Sequence, residues 1–472
     1  MQIICREGLV KNMDLVEQLD SIFYPRAIAV VGVSDDTGKM GHSCVKSLID
    51  AGFKGMVYPV NPSLSTLFGL KVYPSITAIP GKVDLVIIVI PAHLILPVME
   101  ECVVKGVKGV IIITSGFKEM GTGVGFDLQN KIRDIANNGR MKIIGPNCLG
   151  VINPRANLNA TFRTEYGSAK VGNVAVVAQS GGVCGLIVFD LTDHNVGISK
   201  AISMGNRCNL DFAEMVKYLG EDEETKVIVM YIEGLEEPRR FMDITRQVVK
   251  RKPIIAYKGG RGEGLNQATL SHTGALAGKY EIYQAAFTQA GIITVGDITE
   301  MVDITKALTF QPPSTGDRVA LFSIQAGPGI IMGDRCNELG LRLADFSTAT
   351  RERLRQLASP LNPVNNPVDV GGRGDDFDAC REMLKVVLED DGVDAVSVNT
   401  FVDMGLTKAV AEISKCYSKP ITVCLYPVAV GADYPYSTGL EENNVPTYPF
   451  PERAITGLAG LIKYGRILET TS

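Results

Sequence analysis

Short apolar runs rich in β-branched residues alternate with amphipathic stretches along the first third of the chain. The apolar runs predict buried parallel strands at Ala27–Gly32, Met56–Val60, Leu85–Ile90, Val110–Thr114 and Lys142–Ile144. The stretches between them predict helices at Ser43–Ala51, Leu94–Lys105 and Phe126–Asn137. Strands that alternate with helices in this way indicate a doubly wound α/β domain.

The same alternation recurs twice, first after a polar stretch that follows Asn147. The second series predicts strands at Val174–Ala178, Ile198–Ser203, Val227–Ile232 and Ile254–Lys258. Its helices are predicted at Cys184–His194, Asp211–Leu219 and Arg239–Lys250. The third series predicts strands at Val319–Ser323, Ala395–Thr400 and Ile421–Leu425.

The segment Gln311–Gly316 is rich in Pro, Ser and Gly, which predicts a linker before the third series. At roughly 150 residues per domain, a chain of 472 residues predicts three domains. We place them at 1–147, 148–311 and 312–472, and the predicted fold class is α/β throughout.

Composition narrows the range of partners. The chain has 47 Lys and Arg against 52 Asp and Glu, so its formal net charge is −5. A mildly acidic chain of this kind is not expected to have nucleic acid or a membrane surface as its main partner. Its ten cysteines are scattered without a C-x-x-C pair, which predicts a reducing compartment and no metal site. The longest apolar stretch, Leu85–Val98, is interrupted by Pro91 and is too short for a bilayer, and Met1–Lys11 lacks the apolar core of a signal peptide. We therefore expect a soluble, cytoplasmic protein.

The first Gly-rich turn, Gly32–Gly41, follows a predicted strand and opens a helix. Backbone N–H groups at such a turn bind phosphate, and Lys39 adds a positive charge. The spacing is not G-x-G-x-x-G, and the second strand ends in Asn61-Pro62 rather than in the acidic residue that binds a dinucleotide ribose. These features argue against NAD and favour another nucleotide-containing ligand, with a turn that binds nothing as the alternative.

Two later turns repeat the arrangement. Gln179-Ser180-Gly181-Gly182 and Ala326-Gly327-Pro328-Gly329 each place glycines between a predicted strand and a helix start. Both turns could bind an anion through their backbone N–H groups. The alternative is an ordinary strand-to-helix turn, which has the same sequence pattern.

One of the four histidines, His272, lies in a run of small residues, Ser271–Gly278. Small neighbours leave room for a bulky group to approach the imidazole, which suits transient phosphorylation of the histidine. Glu233 is predicted at a strand end, where its carboxylate would orient that imidazole. The alternative for Glu233 is a solvated side chain beside Glu236 and Glu237.

Together these motifs resemble the alpha-type subunit of NDP-forming acyl-CoA synthetases, the acetate–CoA ligase (ADP-forming) family, which is related to succinyl-CoA synthetase. The resemblance extends from about Ser21 to about Ile467. It implies that His272 is the phosphorylated histidine and that Glu233 pairs with it. It also implies that two glycine-led helix starts bind the phosphate, with the residues Ser180, Gly181, Gly182, Gly327 and Gly329.

The resemblance further implies an N-terminal Rossmann-like CoA-binding domain followed by two flavodoxin-like, doubly wound domains. By match to the family, the residues of the first domain that face CoA are Gly32, Ser34, Lys39, Pro62, Pro91 and Asn147. The segments Ser115–Glu119 and Pro146–Gly150 match CoA-facing segments as well.

The implied reaction interconverts acyl-CoA, ADP and phosphate with a short carboxylic acid, CoA and ATP, through an acyl phosphate and a phosphohistidine. The sequence contains neither a Walker A loop nor a segment that resembles an ATP-grasp domain. The resemblance therefore implies an ATP-grasp beta subunit as partner, which would bind ADP or ATP with Mg, in a hetero-oligomer such as α2β2. Two alternatives stay open: a non-catalytic, CoA-binding regulatory module and an NAD-dependent oxidoreductase.

Overall fold

The computed structural model of the chain describes residues 15–262, 280–314, 316–360, 362–427 and 439–471. These residues form two compact units. The first unit takes the described residues up to Thr192 and from Gly197 to Thr294, and the second takes Asp193–Val196 and the described residues from Val295 onwards. The predicted division into three domains remains a prediction. Within the described residues, no helix combines the length and apolar character that crossing a bilayer requires.

The first unit begins with a helix at 15–23 and a parallel sheet. In chain order its strands are β1 Ala27–Val31, β2 Met56–Val60, β3 Thr66–Leu67, β4 Leu70–Lys71, β5 Leu85–Ile88, β6 Gly109–Ile112 and β7 Lys142–Ile144. The main sheet has the order β2-β1-β5-β6-β7, and β3 and β4 form a separate antiparallel pair. The helices that follow β1, β5 and β6 are α1 Met40–Asp50, α2 Ile95–Lys105 and α3 Gly123–Asn138.

This sheet agrees with the predicted strands and helices to within a few residues at each end. Its central strands β1, β5 and β6 are buried along their whole length, as helices on both faces of a parallel sheet require. The strand order reverses between β1 and β5, and ligands of doubly wound sheets bind beyond the carboxyl ends of strands at such a point.

A second sheet completes the first unit. Its strands are β8 Gly150–Asn153, β9 Leu158–Thr161, β10 Val171–Ala178, β11 Ile198–Ser203, β12 Val227–Ile232, β13 Ile254–Lys258 and β14 Ile293–Thr294. The order is β14-β13-β12-β10-β11-β8-β9, and β8 joins the parallel core in the antiparallel sense through β11. The helices are α4 Gly181–Asp193, α5 Phe212–Glu221, α6 Pro238–Val248 and α7 Tyr280–Gln289.

The β8–β9 hairpin corrects the expectation of a polar connection after Asn147. Its residues are buried because the polar side chains find partners: Asn153 donates to the carbonyl of Phe23 at 3.0 Å, and Thr161 donates to the Asn159 side chain at 2.7 Å. Buried polar groups that are hydrogen-bonded in this way are tolerated in a core, so a partly polar sequence forms two buried strands at one end of the sheet.

The second unit contains one further sheet. Its strands are β15 Arg318–Ser323, β16 Arg342–Leu343, β17 Val368–Asp369, β18 Ala395–Phe401, β19 Ile421–Tyr426 and β20 Thr447–Tyr448. The order is β16-β15-β18-β19-β20, with β17 paired to β15, and all the pairs are parallel. The helices are α8 Ile298–Phe310, α9 Ala326–Glu338, α10 Thr348–Leu357, α11 Phe377–Leu388, α12 Gly405–Ile413, α13 Gly439–Glu442 and α14 Pro451–Thr471.

One residue of the segment predicted as a linker is packed against the second unit. Ser314 is only 2% exposed, and its N–H donates to the carbonyl of Leu461 in α14 at 3.3 Å. Its hydroxyl donates to the carbonyl of Gly316 at 2.8 Å. Ser314 is thus fixed by hydrogen bonds within the unit, whereas Pro312 of the same segment is exposed.

Candidate functional site

A cavity of about 1200 Å³ opens in the first unit beyond the carboxyl ends of its strands. Turns that follow strands of both sheets of that unit line the cavity. The predicted site residues that line it are Gly32, Lys39, Pro91, Asn147, Ser180, Gly181 and Gly182. Segments far apart in the sequence thus share one cavity, which is large enough for a cofactor-sized ligand.

The Gly32 turn forms one wall of this cavity. Gly32 has a φ of +90°, and a Cβ at this position would lie 2.3 Å from the carbonyl oxygen of Val89. Only glycine permits this approach of β1 to the neighbouring turn. The chain then enters α1 at Met40, with the exposed Lys39 immediately before the helix, so backbone N–H groups and an ammonium group converge there.

Ser34 and Pro62 are not among the described residues that line the cavity. The side chain of Asn61 lies between their two turns and donates to the carbonyl of Val33 at 2.7 Å. An ionised acidic residue at position 61 could not donate this hydrogen bond, which gives Asn61 a structural reason to be an amide. The hydroxyl of Ser34 accepts the N–H of Asp36 at 3.1 Å, so it stabilises its own turn.

The second wall is the start of α4. The strand β10 ends at Ala178, and α4 begins at Gly181 without an acidic residue in its first turn. The hydroxyl of Ser180 accepts the N–H of Val183 at 3.4 Å, and a Cβ at Gly182 would meet no described atom within 4 Å. The N-terminus of α4 therefore presents open backbone to the cavity, as an anion site requires.

Glu233 follows β12, the strand beside β10, and is 7% exposed. Burial of this kind does not fit the solvated side chain that was the alternative for this residue. The side-chain oxygen of Gln179 accepts the backbone N–H of Glu233 at 3.0 Å and that of Gly234 at 3.2 Å. The end of β12 is thereby tied to the residue that precedes the Ser180 turn.

Two titratable groups near Glu233 have shifted pKa values. Burial lowers the pKa of Lys258, at the end of β13, and the negative charge of Glu233 opposes this shift. Burial also raises the pKa of Tyr231, and Glu233 raises it further by repulsion and by a hydrogen bond. The carboxylate of Glu233 thus acts on the buried Lys258 and the half-buried Tyr231, and shifted pKa values of this kind cluster at functional sites.

His272 and its whole segment, Ser271–Gly278, lie outside the described residues. The described chain stops at Gly262, shortly after β13, and resumes at Tyr280. Gly327 and Gly329 lie in the second unit, in the first turn of α9. The roles predicted for these three residues remain predictions.

Sequence reasoning missed part of the cavity wall. The additional lining residues include Phe162, Arg163, Tyr166, Leu186, Phe189 and Asn206. Asn206 follows β11, so a search of strand ends would have found it. No pattern identifies Phe162 and Tyr166, because their place depends on the unpredicted β8–β9 hairpin.

In the part of the chain that the structure describes, no three His, Cys, Asp or Glu side chains are grouped so as to hold a metal ion. Of the cysteines described, none forms a disulfide and all but Cys416 are buried.

The chain is similar to known proteins along nearly its whole length. A family profile described as a CoA binding domain matches residues 26–154, and one described as a succinyl-CoA ligase like flavodoxin domain matches residues 171–308. The chain is 40% identical to the alpha subunit of acetate–CoA ligase (ADP-forming) II of Pyrococcus furiosus, covering 95% of this chain and 98% of that one.

Two further relatives extend the comparison. Acetate–CoA ligase (ADP-forming) of Methanocaldococcus jannaschii is 36% identical over 95% of this chain, which spans only 63% of that longer protein. The dinucleotide forming acetyl-coenzyme A synthetase 1 of Ca. Korarchaeum cryptofilum, solved in complex with phosphate and ADP, superposes with a TM-score of 0.88 at 33% identity. That match covers 96% of this chain and 98% of the solved one. The chain therefore belongs to the ADP-forming acyl-CoA synthetase family of acid–thiol ligases, as an alpha subunit.

Proposed function

We propose that this chain, together with a nucleotide-binding partner, interconverts acyl-CoA, ADP and phosphate with a carboxylic acid, CoA and ATP. The observation that carries the proposal is the single cavity in which the Gly32 turn and the start of α4 meet. A thioester held by the first turn and a phosphate held by the second would react without either leaving the cavity. Bringing two reactants together in this way removes much of the entropic cost of their reaction.

The described residues fit CoA. Lys39 and the backbone N–H groups before α1 suit the phosphates of CoA, and Pro91 and Asn147 line the same cavity. Ser34 and Pro62 remain in the proposal through the family resemblance alone. The cavity volume of about 1200 Å³ accommodates an extended ligand of this size.

In the proposed reaction an oxygen of inorganic phosphate attacks the thioester carbonyl, and CoA leaves as the thiol. The acyl phosphate that results then passes its phosphoryl group to a nitrogen of His272, which releases the carboxylic acid. Glu233 would orient the imidazole, and the helix start at Gly181 would stabilise the negative charge. Gly327 and Gly329 remain in the proposal through the family resemblance alone. A phosphorylated side chain separates the step that needs CoA from the step that needs ADP.

The nucleotide step belongs to the partner in this proposal. An ATP-grasp beta subunit would bind ADP or ATP with Mg and accept the phosphoryl group from His272, in an assembly such as α2β2. The Korarchaeum protein was solved with phosphate and ADP, which supports these ligands for the family. The cytoplasm stays the proposed location, from the cysteine content of the sequence.

Short carboxylic acids are the proposed substrates. The relatives are named for acetate, for 4-hydroxybutyrate and, at 28% identity, for trans-ferulate. A non-catalytic regulatory module is not favoured, since the relatives that the chain matches over their full length are named as ligase subunits.

The proposal is tested by incubating the chain and its partner subunit with radiolabelled phosphate and a panel of acyl-CoAs. We expect acid-labile, alkali-stable label that His272→Ala abolishes and Glu233→Gln slows. His93→Ala is the matched control, because His93 is exposed and outside the cavity lining. Label that persists in His272→Ala would contradict the phosphohistidine, and label unchanged in Glu233→Gln would remove the proposed role of Glu233.

A further inference from the structure

Two irregular loops of the first unit supply neighbouring parts of the cavity wall. The 114 loop, Thr114–Glu119, follows β6, and the 146 loop, Pro146–Leu149, follows β7. Thr114 and Ser115 of the first loop line the cavity, as do Asn147 and Cys148 of the second. Neither loop has the repeated backbone hydrogen bonds of a long helix or a sheet, so their shape depends on other contacts.

The carboxylate of Glu119 fixes the shape of the 114 loop. One of its oxygens, Oε1, accepts the backbone N–H of Gly116 at 2.6 Å and that of Phe117 at 3.1 Å. Gly116 has a φ of +113°, a conformation that residues with a side chain rarely adopt. Hydrogen bonds to an ionised acceptor are about twice as strong as neutral ones, so this carboxylate holds the turn that Gly116 permits in one conformation.

The other carboxylate oxygen, Oε2, binds the side chain of Asn206, which is 2% exposed. The amide nitrogen of Asn206 donates to Oε2 of Glu119 at 2.5 Å and to the side-chain oxygen of Gln129 at 3.0 Å. Both of its hydrogens are therefore used, and the orientation of this amide is fixed by its partners.

Asn206 also contacts the 146 loop. Its backbone N–H donates to the carbonyl of Pro146 at 2.9 Å, and its side-chain oxygen accepts from the amide of Asn147 at 3.4 Å. The contact between Glu119 and Asn206 therefore connects the two loops, which face the same cavity from neighbouring strands of the sheet.

We infer that Glu119 and Asn206 are positioning residues for CoA, which hold the 114 and 146 loops in the shape that receives it. The inference rests on the proposed function, because it takes CoA as the occupant of this cavity. Without the contact, the loops sample other conformations and binding has to order them, which weakens affinity. Neither residue reacts, so the later phosphoryl transfer to ADP is affected little.

The test uses the complete complex of the chain with its partner and three variants: Glu119→Gln, Asn206→Asp and the double variant. In Glu119→Gln an amide faces the amide of Asn206, and in Asn206→Asp two carboxylates face each other. In the double variant the new amide at position 119 donates to the new carboxylate at position 206, so the contact between the two loops returns with donor and acceptor exchanged. The side chain of Gln129, which accepts from Asn206 in the wild type, then has to turn its amide nitrogen towards the new carboxylate. We measure the dissociation constant of CoA by calorimetry, and KM for CoA and for ADP with kcat.

We expect each single variant to raise the dissociation constant and KM for CoA about tenfold. KM for ADP and kcat should change less than about twofold, and the double variant should return the affinity to within about threefold of wild type. A variant that is merely less stable would change KM for CoA, KM for ADP and kcat together. A change confined to the affinity for CoA therefore distinguishes a positioning role from a loss of stability.

Glu101→Gln is the matched control. Glu101 is a partly buried carboxylate on α2 that accepts the backbone N–H of Ile76 at 2.8 Å. Neither residue lines the cavity. Glu101→Gln should leave the affinity for CoA unchanged.

Single variants that bind CoA as wild type does, or a double variant no better than the weaker single one, would overturn the inference. A wild-type complex that binds no CoA would instead overturn the proposed function, and the inference with it.

Discussion

The side-chain oxygen of Gln179 accepts the backbone N–H of Glu233 at 3.0 Å and so joins the carboxyl ends of β10 and β12. The same oxygen accepts the N–H of Gly234 at 3.2 Å. Because Gln179 directly precedes the Ser180 turn, the position of Glu233 is set relative to the start of α4. A carboxylate and a helix N-terminus that act on one phosphorylated group need such a fixed relationship.

Replacing Gln179 by Met removes the acceptor and keeps the length of the side chain. The backbone N–H groups of Glu233 and Gly234 lose their acceptor, which costs about 1 kcal/mol or more for each buried group. The position of Glu233 is then less well fixed. We expect the rate of phosphohistidine formation to fall about tenfold, measured as the initial rate of labelling. Gln18→Met is the control, because Gln18 is a buried glutamine of the same unit whose amide donates to the carbonyl of Arg140 at 2.6 Å. It should lower stability without slowing the labelling, and equal rates in both variants would refute the role of Gln179.

We expect Lys39 to contribute to CoA binding mainly through its charge. Lys39→Ala should raise the dissociation constant of CoA about fivefold to tenfold at low salt, and less at high salt, because an exposed charge is screened. Titration calorimetry at two ionic strengths checks both statements. Lys46→Ala is the comparison, since Lys46 lies on α1, the helix that Lys39 precedes, but pairs with Asp50. A salt-independent loss in Lys39→Ala would show that its charge is not the cause.

Gly185 permits the close contact between α4 and Tyr166. A Cβ at this position would lie 1.9 Å from the hydroxyl oxygen of Tyr166, a buried residue whose ring packs on that of Phe189 with their centroids 5.1 Å apart. Gly185→Ala should therefore destabilise the first unit by about 1–3 kcal/mol. Chemical denaturation measures this, and the loss should shrink in a Tyr166→Phe background. Gly123→Ala, where a Cβ meets no described atom within 4 Å, should change stability by less than about 0.5 kcal/mol.

Asp394 makes the second unit sensitive to acid. Its two oxygens accept from Arg318 at 2.8 Å each, and these hydrogen bonds lower the pKa of Asp394 below its usual value. Between about pH 3.9 and the lowered pKa, Asp394 is protonated in the unfolded chain but still ionised in the folded one. The free energy of unfolding therefore falls as the pH is lowered through this range. Denaturation between about pH 7 and about pH 3 should show this loss, and Asp394→Asn should reduce it. Asp391→Asn, at an exposed neighbouring carboxylate, should leave the pH dependence intact.

The interior strands β1, β5 and β12 were predictable because their sequences are continuous apolar runs, as burial on both faces of a parallel sheet demands. The interior strand β18 was predicted as well, although Ser397, Asn399 and Thr400 interrupt its apolar pattern. Of the edge strands, β2 and β7 were predicted, whereas β9, β14, β16 and β20 were not. In the β8–β9 hairpin, the side chain of Asn153 is satisfied by the carbonyl of Phe23, far away in the chain, so no local pattern indicates that this polar position is interior.

The family, the alpha-subunit character and the turns that carry the chemistry are properties of the sequence itself, since glycines after buried strands have few other uses than close approach or anion binding. The tertiary structure alone decided which of these turns meet. It brought Lys39, Asn147 and Gly181 into one cavity, left Ser34 and Pro62 off its wall, and buried Glu233 beside Gln179. These relationships depend on strand order and on hydrogen bonds between residues far apart in the chain, and neither is encoded in any local pattern of hydrophobic and polar positions.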